Sequence, residues 1–303
     1  MRKALLIVLI VFAGDLVVQA QGWKADIRYA NFRNRISESS VLIEAKVGEA
    51  KLIGTGTMFK LNNPRNFPFG TVGVLTVRHL VDGADAVRIS FVGRSADEPS
   101  MQKKFSFSYT KGDILVEHHP DSNVDLCLII IDNDLKASRM RGKEILYLAM
   151  EMSVLADEKF YLSQLPLDPV VMVGYPKGFL DEFNLQPIFR RGVYATRPSL
   201  NYKGKKEFLL DIQNNGGSNG SAVYRFDDGM YNDRSNGGVN IVLADRLVLV
   251  GISYDGVDMT KNKEYREVFG GTPASIVNVI KADRIRELCD YVIRKLSEKG
   301  NIR

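Results

Sequence analysis

The sequence predicts an all-β body closed by one C-terminal helix, and two features of its pattern predict it. From about residue 41 to residue 254 the chain is a series of short apolar or alternating runs, rich in Val, Ile and aromatics. Gly, Asn, Asp and Pro break these runs at close intervals, which is the texture of antiparallel strands in a sandwich or barrel. Beyond residue 276 the period changes. Ile285, Leu288, Cys289, Val292 and Leu296 recur at three- and four-residue spacing, as on one face of an amphipathic helix.

In chain order, Arg2 and Lys3 precede an unbroken apolar run, Ala4–Gly14, followed by Asp15 and then Val18-Gln19-Ala20. A basic start, a short apolar core and a small-residue cut site predict a signal peptide over residues 1–20. Cleavage after Ala20 and a secreted or periplasmic protein are expected. The competing reading, a membrane anchor, needs about 20 apolar residues, and this run is shorter. No stable membrane span is expected after cleavage. Strand runs then follow at Val41–Ala45, Val72–Val77, Ala86–Phe91, Lys104–Tyr109, Asp125–Ile131, Val170–Val173, Phe208–Ile212 and Leu247–Tyr254. The long polar stretch Arg225–Arg246, with Asn236-Gly237-Gly238, reads as an exposed excursion between two strands. The helix is expected over about 282–299, with Asp283 near its start and Gly300 at its end.

The 303 residues are 45% hydrophobic and 25% charged, with a formal net charge of +5. Basic and acidic residues are interspersed. The densest basic patch, Lys203-Gly204-Lys205-Lys206, reads as a solvated turn, and no nucleic-acid partner is expected. His118 and His119 lack metal-ligand spacing, and the acids of the 225–246 stretch do not match a calcium loop. No metal or cofactor is expected, and nothing sets an oligomeric state. Cys127 lies in an apolar strand and Cys289 on the apolar stripe of the helix. They could pair in an exported protein, but two buried free thiols fit these positions better.

Three segments point to chemistry. In the first, Gly54-Thr55-Gly56 is followed by Val74-Leu75-Thr76-Val77-Arg78-His79, a strand ending in a histidine. In the second, Asp125 stands at the mouth of the apolar strand Leu126-Cys127-Leu128. A carboxylate there is costly unless a donor meets it, and a histidine N–H would be such a donor. The third is Asn214-Asn215-Gly216-Gly217-Ser218-Asn219-Gly220-Ser221-Ala222, whose glycines permit a tight turn aiming backbone N–H groups at one point. A structural histidine and a surface acid remain the bland readings of the first two segments taken singly.

Taken together, and in this order, the segments resemble those of trypsin-like serine peptidases, especially the bacterial secreted branch. That branch has a Gly-Thr-Gly start, a Leu-Thr-x-x-His segment, an Asp-Leu strand and a Gly-x-Ser-Gly-Ser-Pro nucleophile turn. Val173-Gly174-Tyr175-Pro176-Lys177-Gly178, Pro187-Ile188-Phe189-Arg190-Arg191-Gly192 and Leu249-Val250-Gly251-Ile252-Ser253-Tyr254 are also similar to the branch, over about residues 41–280. The resemblance implies two six-stranded antiparallel β-barrels, about 35–150 and 151–275, dividing near 143–165. It implies His79 as general base, Asp125 as its orienting acid, and Gly217 and Asn219 as backbone donors of an oxyanion hole. Gln213 would lie at the base of the primary pocket. Ser253, Tyr254 and Gly256 would flank an extended peptide substrate or ligand.

The departure is at the nucleophile: Asn219 stands where the family has serine, and Ala222 replaces the usual proline. A carboxamide nitrogen is delocalised into its carbonyl and attacks poorly at neutral pH. The expectation is a pseudopeptidase that binds extended peptides. The alternative is an active endopeptidase in which Ser218 or Ser221 supplies the hydroxyl.

Overall fold

The computed structural model describes residues 36–61, 70–179, 181, 186–213, 218–234, 238–256 and 275–300. The expected leader, Gly217 and the Asn236-Gly237 pair lie outside these residues.

The protein is all-β in body, in two halves. The first half carries eight strands: β1 (Ser40–Val47), β2 (Ala50–Leu61), β3 (Thr71–Thr76), β4 (Ala86–Ser95), β5 (Glu98–Thr110), β6 (Val116–His118), β7 (Cys127–Ile130) and β8 (Lys143–Leu146). They run antiparallel in the order β5-β4-β1-β2-β3-β7-β6. β8 takes over where β1 leaves off along one edge of β4: β1 pairs with residues 86–90 and β8 with residues 92–95. The pairing exceeds the six strands expected for this half. Its register is fixed locally where turns are short, as at the β1–β2 hairpin, where Val47 faces Ala50 and Gly48 adopts φ +56°. β3 is buried along its whole length, as its apolar run Val72–Leu75 requires.

A short helix α1 (Asp132–Met140) precedes β8, and α2 (Glu158–Ser163) leads into the second half. Asp157 caps α2 by accepting from Phe160 N at 2.8 Å. Neither helix was visible in the sequence period, because each is under three turns.

The second half is a closed barrel of six strands. They are β9 (Pro169–Gly174), β10 (Ile188–Tyr194), β11 (Glu207–Asp211), β12 (Ala222–Asp227), β15 (Arg246–Gly256) and β16 (Ile276–Lys281). Their order round the barrel is β10-β11-β16-β15-β12-β9. The stretch between β12 and β15 is more than a bare excursion: it folds a small hairpin, β13 (Tyr231–Asp233) with β14 (Asn240–Val242). Arg246 stacks over the Tyr231 ring at 3.7 Å and pairs with Asp227 at 2.7 Å, tying this hairpin to the barrel.

Helix α3 (Ala282–Gly300) follows β16 without a break. Its stripe of Ile285, Leu288, Cys289 and Val292 is buried. Its first N–H, on Ala282, would be an orphan donor. It donates instead to the Tyr161 hydroxyl at 2.8 Å, which donates onward to Val250 O at 2.7 Å. The helix spans both halves: Lys295 meets buried Glu117 at 2.6 Å, and Glu287 meets Lys206 at 3.0 Å. Cys127 and Cys289 are both buried free thiols, and burial raises each thiol pKa, that of Cys289 to about 12. Among the described residues no helix is long and apolar enough to cross a membrane.

Candidate active site

β3 runs buried to Thr76, and one turn of 3₁₀ helix, Arg78–Leu80, then lifts His79 to the surface between the halves. Asp125 sits one residue before the buried Leu126-Cys127 pair, so its backbone is fixed while its carboxylate stays accessible. Both carboxylate oxygens are engaged by the same residue. Oδ1 accepts from the His79 backbone N–H at 2.9 Å, and Oδ2 lies 2.5 Å from His79 Nδ1. This double grip sets the plane of the ring. It also removes the cost of an acid at a strand mouth.

On its other side His79 Nε2 meets the Asn219 carboxamide nitrogen at 3.1 Å. An amide N–H can donate but its nitrogen cannot accept, so Nε2 is the acceptor and the ring proton is on Nδ1, donated to Asp125. The ring is thus held between the Asp125 carboxylate on Nδ1 and the Asn219 carboxamide on Nε2.

The 218–221 turn is locked from both halves. Asn219 O accepts from Thr55 N at 2.9 Å across the interface, and Thr55 O accepts from the Thr76 hydroxyl at 2.8 Å. The Thr55 hydroxyl in turn accepts from Tyr175 N at 3.0 Å. Gly220 has φ +86°, and a Cβ there would lie 2.0 Å from Thr55 O. Glycine is required at 220 on both counts. A Cβ on Gly54 would stand 2.4 Å from the Leu80 side chain and 3.0 Å from Asn219 O. The Gly-Thr-Gly start thus works as a clamp: its glycine makes room for the turn and its threonine bonds it. Nothing in the local sequence of Thr55 announces that role.

Several expected site residues are placed differently. Ser218, the alternative nucleophile, is buried, at 1% exposure, and Asn219 is the side chain that reaches His79. Ser221 is fully buried, with its hydroxyl walled in by β9: a Cβ on Gly174 would fall 2.1 Å from it. Ser253 turns its hydroxyl inward. Its N–H donates to Ser221 O, its carbonyl accepts from Gly220 N, and its hydroxyl donates to Ser218 O at 2.9 Å. Tyr254 is half-buried, with its hydroxyl on Glu207 at 2.8 Å, and Gly256 pairs with Val277 beyond a bulge. Gln213 is exposed, and its carbonyl accepts from Arg190 Nη1 at 2.9 Å. Among the described residues, no three His, Cys, Asp or Glu converge on a point that could hold a metal ion.

No family model matches this sequence, and no curated protein does. Solved structures of similar shape include a serine endoprotease from Yersinia pestis, at 15% identity and TM-score 0.45, matched over 88% of this chain and 66% of that one. An HtrA-type protease, AlgW, with a bound tripeptide matches at 16% identity and TM-score 0.46, over 90% and 64%. A protease from M. tuberculosis in its active form matches at 15% identity and TM-score 0.45, over 92% and 91%. The chain spans just under two thirds of the length of the first two. Likeness at this identity and score is too remote to assign a family or an activity. The chain itself has an all-β body with a closed six-stranded barrel, a C-terminal helix, and a histidine–aspartate–asparagine cluster where its halves meet.

Proposed function

We propose that this chain is a trypsin-like peptidase in fold that binds extended peptide segments without cutting them. The observation that supports this most is the 3.1 Å contact between the Asn219 carboxamide and His79 Nε2. Hydrolysis by this arrangement needs a hydroxyl at that point, so that Nε2 can take its proton during attack. Asn219 fills the position with a group that has no proton to give up usefully and no free lone pair on nitrogen. Base and orienting acid remain, in order, with nothing to activate. Among the described residues nothing accepts from the backbone N–H of Asn219, and it would anchor a peptide carbonyl. A peptide would add as a strand along β15 beyond Ser253, by main-chain hydrogen bonds. The buried state of Ser218 and Ser221 weighs against the hydrolytic alternative.

An alkyl fluorophosphonate, which reacts only with an activated serine, should leave the full-length chain unlabelled. An unfolded protein substrate should be cut no faster than by the His79→Ala variant. Stoichiometric labelling at Ser218 or Ser221, with cleavage lost in Ser218→Ala, would establish an active peptidase instead.

A further inference from the structure

At the Asn219–Gly220 bond the groups of the site converge on the chain itself. The carboxamide nitrogen of Asn219 lies 3.1 Å from His79 Nε2, whose other ring nitrogen is held by Asp125. The backbone carbonyl of the same residue accepts from Thr55 N at 2.9 Å. A base therefore stands on the side-chain nitrogen of Asn219 and a donor on its backbone oxygen. The next amide, Gly220 N, is buried and donates to Ser253 O at 2.8 Å.

Towards an incoming peptide bond this carboxamide is inert, because a delocalised nitrogen attacks poorly in an encounter. Towards its own backbone carbonyl the same attack closes a five-membered ring. Such an intramolecular reaction can be worth an effective concentration of about 10⁵–10⁸ M, which offsets much of the poor nucleophilicity. The residue on the leaving side is glycine, which the φ of +86° requires and which carries no side chain to shield the bond.

We infer that the protein cleaves its own chain once, between Asn219 and Gly220, by cyclisation of the Asn219 side chain. Asn219 Nδ2 bonds to the backbone carbonyl carbon of its own residue while His79 Nε2 takes one of its protons. The carbonyl oxygen gains the negative charge, facing the Thr55 N–H. As that charge returns, the C–N bond to Gly220 breaks, and protonated His79 gives its proton to the departing nitrogen. The products are a C-terminal aminosuccinimide at residue 219 and a free amine on Gly220. One bond forms, one breaks, the proton is passed on, and no co-reactant is consumed. The nucleophile is used up, so each molecule reacts once. This step goes beyond peptide binding and does not depend on it.

The two pieces should stay together after the cut. The second carries β12, β15, β16 and α3, and β12 remains paired with β9 of the first. Cleavage is therefore visible only after denaturation.

The test is a time course on the purified full-length chain, kept folded at neutral pH and then denatured for gel and intact-mass analysis. Two fragments should accumulate over days. One should begin Gly220-Ser221-Ala222, and the other should end at residue 219, one water lighter than a free asparagine terminus. The rate should fall by about 10²-fold in His79→Ala, fall in Asp125→Asn, and be unchanged in His119→Gln. Asn219→Gln, which must close a larger ring, should stay whole. In urea the parent should also stay whole. There only the ordinary attack of Gly220 N on the Asn219 side chain operates, which gives deamidation without a cut. A folded parent that stays whole overturns the inference, and so does deamidation at 219 in place of a cut. Cleavage as fast in His79→Ala or in urea as in the folded parent overturns it equally. Should His79→Ala fail to fold, Asp125→Asn decides, and an unchanged rate there has the same meaning.

Discussion

Two histidines, His79 and His119, each lie where parts of the molecule meet, and they are built in opposite ways. His79 has 44% of its side chain exposed; His119 has 1%. In His79 the proton sits on Nδ1 and is donated to Asp125, leaving Nε2 to accept from Asn219. In His119, Nδ1 meets the backbone of Asp121 and no carboxylate: its N–H at 3.0 Å and its carbonyl at 3.3 Å. Its Nε2 lies 3.5 Å from Glu287 Oε2 on helix α3, within ion-pair range but out of line for a hydrogen bond. The difference teaches what makes a histidine a usable base. A carboxylate on Nδ1 points the lone pair of Nε2 outward to a reacting group, whereas backbone partners on Nδ1 and burial of the ring make it a packing element.

The strongest way to sharpen this contrast is to replace the residue that covers the outward lone pair. Asn219→Ser puts a hydroxyl within reach of His79 Nε2, and kcat/KM on a fluorogenic peptide should rise by about 10²-fold or more over the parent. The gain should be absent in Asn219→Ser with His79→Ala, and unchanged with His119→Gln. A folded Asn219→Ser protein with no His79-dependent gain would mean that the site has lost more than one side chain.

The next largest effect should come from breaking the turn that delivers Asn219. Gly220→Ala forces an alanine into φ +86° and drives a Cβ into Thr55 O. A cost of about 2–4 kcal/mol is expected in urea unfolding. A change under about 0.5 kcal/mol would show that the turn relaxes without the clamp.

The smallest effect belongs to His119. Burial holds its imidazole below the ordinary histidine range, and the Arg284 charge acts the same way, while Asp121 and Glu287 oppose them. A folded-state pKa below the unfolded one means that the unfolded chain takes up the proton first. The stabilising contribution is thus fully present above about pH 6.5 and is lost as pH falls below it. The unfolding temperature should decline more steeply between pH 7 and pH 5.5 for the parent than for His119→Gln. Equal slopes would remove His119 from the seam's pH response.

Sequence and structure agree best where a local pattern has one physical solution. The run Val72–Val77 could only be a buried strand, and its polar end at Arg78-His79 had to surface. The stripe from Ile285 to Val292 likewise demanded a helix with one covered face. The cluster of His79, Asp125 and position 219 was legible as an order of residue types. Its contacts depend on partners far apart in the chain, and periodicity does not encode those. Which strand closes the barrel against which, the inward turn of Ser253, and the clamp by Thr55 all arise from such pairings.

The position of β16 in the barrel has a consequence for how the protein is made. Strand β16 lies between β11 and β15, yet it is the last of the six to be synthesised. Until the ribosome has passed residue 281, the second half is a five-strand sheet with two facing raw edges, each able to capture a neighbouring chain. The first half, whose strands end at residue 146, has no such wait. Birth of this protein is therefore sequential: one half can settle while the other is held open, and the interface carrying His79 and Asn219 is a late event in the life of each molecule.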